Sequence, residues 1–108
     1  AVLVYHTNYY VSAVLKVLQG EALNASDTFS FDLPPIQSET DWKNLLNKTW
    51  ADAERFASLL EQLPESRFGE VFTDKKYGTY YRNMHGIIEH IHYHLGQIVV
   101  IKKLIAAQ

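Results

Sequence analysis

The sequence predicts an all-α fold, an up-and-down bundle with three long helices, on three observations. Apolar residues recur at helical spacing in three segments, residues 2–19, 38–63 and 79–107. The segments between them are polar or contain Pro34-Pro35, which cannot continue a helix. No segment shows the strict alternation of apolar and polar residues that is typical of a half-buried strand. Three such helices can form a bundle, although four is the commoner number.

The first predicted helix runs from about Val2 to Gln19. At roughly 100° per residue, its apolar side chains fall on one face, and His6 lies near the middle of that face. These side chains are Val2, Leu3, Tyr10, Ala13, Val14 and Val17. Gly20 is a suitable residue to end the helix, because helices commonly end at a glycine in the left-handed conformation.

The second predicted helix begins at Ser38 and ends at Pro64. Ser38-Glu39-Thr40-Asp41 has the S-x-x-D pattern of a capping box, in which the serine side chain bonds the third helical N–H. A stripe of apolar residues follows helical spacing over about six turns. Its members are Trp42, Leu45, Leu46, Trp50, Ala53, Phe56, Ala57, Leu60 and Leu63. We expect this stripe to be buried.

The last predicted helix runs from about Thr79 to Ala107 and has two apolar sides. The main side carries Tyr80, Met84, Ile87, Ile91, Leu95, Ile98 and Ile105. A weaker stripe carries Tyr93, Val100 and Leu104. A helix with two apolar sides is often central in a bundle or lies at a subunit interface. In the linker from Glu65 to Gly78, we expect three apolar residues to pack back on the core: Phe68, Val71 and Phe72.

Length and composition restrict the functional classes. The chain has 108 residues, which fits a single domain, residues 1–108, with one modest core. The formal net charge of -2 argues against nucleic acid as the main partner, because phosphate binding needs a basic face. The lack of cysteine excludes disulfides, thiolate metal sites and a cysteine nucleophile. No run approaches the roughly 18 apolar residues of a membrane span and no signal peptide is visible, so we expect a cytoplasmic protein without a membrane partner.

Three of the five histidines are candidate metal ligands. His90 and His94 are four residues apart, so on a helix they lie one turn apart on the same side and can bind one ion with little rearrangement. Both flank the apolar face of the last helix, and His6 lies on the apolar face of the first. His85 and His92 project to the far side by the same arithmetic and are poor candidates.

The pattern is also compatible with histidines that only pack in the core. A buried neutral imidazole must find a partner, and a single hydrogen bond would supply one. Three inward-facing imidazoles from adjacent helices would instead satisfy one another through a metal ion. Three nitrogen ligands suit zinc, nickel, iron or copper. They leave at least one position open for water or a substrate atom, which favours a catalytic over a structural site.

Three polar residues fall near the same side as the candidate ligands, namely Tyr10, Asn83 and Gln97. Each can orient a metal ligand or bind a substrate. The alternative, a polar residue at the edge of a helix face without a role in binding, stays open for each of them.

The sequence around His90 resembles the signature of a known family. His90-Ile91-His92-Tyr93-His94-Leu95-Gly96-Gln97-Ile98 is similar to the H-x-x-x-H-x-G-Q-[IV] pattern of the DinB/YfiT-like family of damage-inducible four-helix bundles. Tyr5-His6-Thr7-Asn8-Tyr9-Tyr10 resembles the segment that supplies the first histidine of that family. The helix order and the placement of the linkers are similar over essentially the whole chain.

The resemblance implies a four-helix bundle whose divalent metal, commonly zinc or nickel, is held by histidines that correspond to His6, His90 and His94. Bundles of that family are often dimeric, so the resemblance also implies a homodimer. Some members of the family are transferases or isomerases that depend on a low-molecular-weight thiol such as bacillithiol or mycothiol. Members also have a helix before the one that carries the first histidine. Because this chain begins at Ala1 inside a helical pattern, we expect either that an N-terminal helix is missing or that a partner subunit covers the exposed groove.

Three functional hypotheses follow. The first is a metal-dependent enzyme whose three-histidine site activates a thiol or water toward a small-molecule substrate, as a thiol-dependent transferase or a hydrolase does. The second is a non-catalytic metal-binding or oligomerisation module, which the second apolar stripe of the last helix favours. The third is a helical domain without metal, in which the histidines serve core packing.

Overall fold

Helices form most of the structure, a computed structural model that describes all 108 residues. Four α-helices are present: α1 (Val2–Leu18), the short α2 (Asp27–Ser30), α3 (Glu39–Gln62) and α4 (Tyr80–Ala106). Two 3-10 turns, Glu65–Gly69 and Lys75–Tyr77, separate α3 from α4, and a single bridge joins Val71 to Thr79. No strand forms, which confirms the predicted all-α class. None of the helices combines the length and the apolarity that a membrane crossing requires.

Local side-chain caps set the starts of the two longest helices. Ser38 Oγ accepts a hydrogen bond from the N–H of Asp41 at 3.1 Å, as the capping-box pattern predicts. The Asp41 carboxylate reaches back to the N–H of Gln37 at 2.9 Å, one residue earlier than in a standard capping box. Thr79 caps α4 in the same way, because its Oγ1 accepts from the N–H of Arg82 at 3.2 Å.

The end of α1 is a Schellman motif at Gly20. The N–H of Glu21 donates to the carbonyl oxygen of Lys16 at 2.9 Å, and the N–H of Gly20 donates to that of Val17 at 3.0 Å. Gly20 has a φ of 93°, a left-handed conformation that a residue with a β-carbon adopts at a cost. The prediction that Gly20 ends the first helix is therefore confirmed.

Helix α1 is the central helix of the fold. It packs against both α3 and α4, which make few direct contacts with each other. The core is a single cluster to which α1, α3, α4 and the linker before α4 contribute; its members are Val11, Val14, Val17, Phe56, Phe72, Tyr80 and Met84. The sequence predicted that the last helix is central or lies at a subunit interface. In the structure, the central helix is the first one, α1.

Helices α1 and α3 run parallel, which corrects the simple up-and-down order that the sequence predicted. Near the start of α1, Leu3 lines the same cavity as Trp42, which lies at the start of α3. Farther along, Asn8 donates to the Asp52 carboxylate at 2.9 Å and accepts from Lys48 at 3.2 Å. A parallel pair cannot be joined by a tight turn, so the chain needs a long connection. Residues 19–38, which include α2, form this crossover, and α4 then returns antiparallel to α1.

Several side chains that were predicted to be buried are exposed. Trp50 on α3 is 64% exposed and Leu95 on α4 is 52% exposed, because α3 and α4 each pack mainly against α1 and have no neighbour on the opposite edge. Ile105 is also exposed, because α4 has 27 residues and α1 only 17, so the last turns of α4 extend past α1. In the linker, Phe72 is buried as predicted, whereas Val71 is exposed.

Candidate metal centre

The structure brings together the three histidines that the sequence identified as candidate ligands. His6 Nε2 lies 3.2 Å from His90 Nε2, and His94 Nε2 lies 3.1 Å from the same atom. All three nitrogens lie within 4.8 Å of one another. His85 instead pairs with Glu89 on the surface at 2.9 Å, and His92 is exposed. The distinction between inward and outward histidines that helical spacing predicted is therefore confirmed.

The spacing of these nitrogens suits ligands of one first-row divalent ion. Zinc binds imidazole nitrogens at about 2.0–2.1 Å, so two of them at a tetrahedral angle lie about 3.3 Å apart. The two shorter separations in this cluster, 3.1 and 3.2 Å, are close to that value. The side chains could therefore bind such an ion without a change in the positions of α1 and α4.

A buried serine fixes the tautomer of His6. Ser30, which is fully buried at the end of α2, donates its hydroxyl proton to the carbonyl oxygen of Asp27 at 2.6 Å. Its Oγ lies 3.0 Å from His6 Nδ1 and can therefore only accept a proton from that nitrogen. Because Nδ1 carries the proton, Nε2 of neutral His6 carries a lone pair that points into the cluster.

Gln97 has the equivalent effect on His94. Its Oε1 lies 2.6 Å from His94 Nδ1 and, as an amide oxygen, can only accept. The proton of neutral His94 is therefore on Nδ1, and the lone pair is on the Nε2 atom that faces the cluster. Hydrogen bonds of this kind orient metal-binding imidazoles and raise their basicity.

His90 is left without a protein partner that satisfies it. Its Nδ1 is buried and makes no hydrogen bond in the protein. If Nδ1 carries the proton, that N–H has no acceptor, and three Nε2 lone pairs face one another. If Nε2 carries the proton, one N–H is shared between two lone pairs and Nδ1 has no donor. A cation at the centre would use all three Nε2 lone pairs, so the donor set fits a divalent metal.

The environment keeps two of the imidazoles in the neutral form that a metal requires. Burial, with a further contribution from the neighbouring His94, lowers the pKa of both His6 and His90 from 6.5. The carboxylate of Asp27 opposes this effect on both side chains. At pH 7 the balance leaves His6 and His90 uncharged, with lone pairs available to a metal.

Aromatic rings pack against the cluster. Phe31 stacks on the His6 ring with centroids 4.1 Å apart and an interplanar angle of 9°. Tyr10 meets His6 and His90 edge-on, at 5.3 and 5.2 Å, and its hydroxyl donates to the Asp27 carboxylate. These contacts restrict rotation of the imidazole rings and so hold the nitrogens in place.

The three polar candidates from the sequence have different positions. Gln97 bonds His94 and Tyr10 contacts two of the histidines, so both lie in the cluster. Asn83 contacts none of them. Its Nδ2 donates to the carbonyl oxygens of Tyr77 and Thr79 at 2.9 and 2.8 Å, which ties the linker to the first turn of α4.

Sequence reasoning missed the contribution of the crossover. Asp27, Ser30 and Phe31 lie between the first two predicted helices, in a segment without a recognisable motif, yet each of them acts on His6. No motif marks these residues, because the path of the crossover between two parallel helices brings them to the cluster. Their role is a long-range feature of the fold.

Substitution of Ser30 by alanine is expected to weaken metal binding by about 10- to 100-fold, the usual effect of losing a partner that orients a ligand. The variant removes the acceptor for His6 Nδ1–H, so both tautomers of His6 become accessible. Competition with a chromophoric chelator for zinc measures the change. Ser26→Ala is the matched control, since the Ser26 side chain forms no cap on α2. Equal affinities for Ser30→Ala and Ser26→Ala would show that Ser30 does not orient His6.

The features of this cluster that fit a metal ion are the convergent Nε2 atoms and the two tautomers fixed by hydrogen bonds. No family model, curated protein or solved structure matches the chain. The chemistry of the cluster and the sequence resemblance around His90 therefore indicate what the protein does.

Proposed function

We propose that the protein is a metal-dependent enzyme of the DinB/YfiT-like class, in which His6, His90 and His94 bind one divalent ion, zinc or nickel. The observation that carries the proposal is the convergence of the three Nε2 atoms within 4.8 Å. The hydrogen bonds that place the Nδ1 protons of His6 and His94 support it, because they leave both Nε2 atoms as lone-pair donors. The motif around His90 supports the choice of family.

The proposed reaction is a thiol-dependent transfer or a hydrolysis on a small-molecule substrate. A divalent ion at this site would lower the pKa of a coordinated thiol or water and so supply a nucleophile at neutral pH. The cluster offers three protein ligands, so a fourth position is left for the thiol or water. Ser30 and Gln97 hold the ligand rings in orientation, and Phe31 covers one face of His6.

Metal content is the direct test of the site. We expect untagged protein to retain about one equivalent of zinc or nickel after desalting, measured by elemental analysis. His90→Ala is expected to retain none, whereas His92→Ala, which changes an exposed histidine on the same helix, retains the wild-type amount. Equal metal content in both variants would mean that these histidines only pack in the core.

The reaction class has its own test. Metal-loaded wild type and His94→Ala are incubated with several low-molecular-weight thiols and an electrophile, and thiol consumption is followed. Only the wild type is expected to accelerate it, because activation needs the complete ligand set. Equal rates for the two proteins would contradict a metal-dependent enzyme.

A second candidate function is an oligomerisation module, with a homodimer as its simplest form. The observation that favours it is the exposed second stripe of α4, in which Tyr93, Val100 and Leu104 are more than half exposed. A second copy, or a fourth helix as in the DinB/YfiT-like bundle, would cover apolar surface of this kind. Light scattering at high protein concentration is the test, and a monomer would contradict the module.

A further inference from the structure

A cavity of about 440 Å³ lies beside the histidine cluster. Tyr10 and Asp27 form the wall that the cavity shares with the cluster, since Tyr10 lines the cavity and also contacts His6 and His90. Most of the other lining side chains are apolar, among them Phe72. The volume lies within the range of about 300–1,000 Å³ that is usual for sites of small organic molecules.

The cavity and the ligands share one side of α4. Asn83, Gly86 and Ile87 line the cavity, and His90 follows Gly86 by four residues. Four residues of helix correspond to about 6 Å along the axis. A molecule in the cavity would therefore lie about one helical turn from His90, on the other side of the Tyr10 ring.

The absence of a side chain at Gly86 contributes to this space. A β-carbon built on Gly86 would meet no atom within 4 Å, although the residue lies in the interior of a helix, where glycine is unfavourable. Gly96, on the same helix, is equally free of neighbours but does not line the cavity. The two glycines therefore form a matched pair for substitution.

Among the polar side chains at the cavity, Asn83 and Asp27 present acceptors, and the hydroxyl of Tyr77 can accept or donate. Asn83 uses its Nδ2 protons on the carbonyl oxygens of Tyr77 and Thr79, so its Oδ1 is left as an acceptor. Asp27 is the one charged residue among those that line the cavity, and one of its carboxylate oxygens accepts from the Tyr10 hydroxyl. An apolar wall with acceptors and one negative charge suits a ligand with an apolar body and a cationic donor.

We propose that this cavity is the substrate subsite of the enzyme and that it takes an apolar molecule carrying a protonated primary amine. The amine would donate to Asn83 Oδ1 and the Asp27 carboxylate, and the apolar body would pack against Phe72 and Ile87. The assignment as a substrate subsite rests on the metal-dependent function proposed above. Binding of the amine itself depends only on the cavity.

Benzylamine, with benzoate as an anion of similar size, is the probe. Binding is followed by NMR titration of the protein, zinc-loaded and zinc-free. We expect benzylamine to bind at least about tenfold more tightly than benzoate, and Gly86→Leu to weaken it by at least about tenfold by filling the cavity. Gly96→Leu is expected to bind benzylamine as the wild type does. Asp27→Asn is expected to remove the preference for the amine over the acid.

Gly86→Ala is the control for a folding defect, because alanine favours the helix more than glycine does. It is expected to lower the affinity for benzylamine less than Gly86→Leu does. Unchanged benzylamine affinity in Gly86→Leu would overturn the cavity as the binding site, and equal affinities for benzylamine and benzoate would overturn the amine class. The visible spectrum of the cobalt(II) form reports the metal site separately. A cobalt site without benzylamine binding overturns the subsite and leaves the metal function intact. Benzylamine binding without a cobalt site contradicts the metal function and keeps the cavity as an amine site only.

Discussion

Replacement of His90 by alanine is expected to abolish the stabilisation of the fold by zinc. In the wild type, free zinc at about a thousand times its dissociation constant should raise the free energy of unfolding by about 4 kcal/mol, because it binds the folded state alone. His90 Nε2 lies within 3.2 Å of both other ligand atoms, so its loss removes the central member of the cluster. Urea denaturation with and without zinc measures the effect.

Without metal, the same substitution is expected to have little effect on stability. His90 Nδ1 is buried without a partner, and its Nε2 faces two lone pairs, so the imidazole adds little stability when no ion is present. We therefore expect His90→Ala to cost less than about 1 kcal/mol in a chelator, whereas loss of a large side chain that only packs in the core costs about 2–5 kcal/mol. His92→Ala is the control, with the wild-type response to zinc. A large cost in chelator, together with no zinc effect on the wild type, would contradict the metal centre.

Substitution of Phe56 by alanine is expected to have the largest effect on the stability of the metal-free fold. Phe56 is 6% exposed and is the α3 member of the core cluster, where it lies with Val11 and Val14 of α1. Loss of a buried phenylalanine costs about 3–5 kcal/mol, a large share of the roughly 5–15 kcal/mol that stabilises a typical domain. The midpoint of urea denaturation should fall accordingly.

Trp50→Ala is the matched control for Phe56→Ala. Trp50 is on the same helix and belongs to the same predicted stripe, but it is 64% exposed. We expect Trp50→Ala to lower the free energy of unfolding by less than about 1 kcal/mol, as is usual for surface substitutions. Equal costs for the two variants would show that both edges of α3 are covered in solution, for instance by a second copy of the chain.

Trp50 and Phe56 also show how much of the fold could be predicted from the sequence. Helical spacing identifies the residues that share a face, and short-range caps such as Ser38 identify where a helix begins, so the long helices were predicted well. Spacing does not tell which part of a face has a neighbour. The burial of Phe56 and the exposure of Trp50 depend on the position of α1, which is a property of the whole chain.

In the candidate site, too, the features set by helical spacing could be predicted, and those set by the overall fold could not. His90 and His94 are close because a helix places residues four apart on one side, and helical arithmetic also excluded His85 and His92. The position of His6 close to His90 and His94 could be anticipated, because His6 lies on the apolar face of α1. The contacts of Ser30 and Asp27 could not, since they follow from the parallel arrangement of α1 and α3 and from the crossover that this arrangement requires.

The contact between His6 and His90 joins residues that are 84 positions apart in a chain without cysteine. An ion bound there would close a loop containing most of the chain, as a disulfide between the same positions would. For a covalent bridge over a loop of that size, the lost freedom of the unfolded chain is worth about 4–5 kcal/mol. The histidine cluster would thus act as a reversible cross-link, and a chelator would open it without any change in redox conditions.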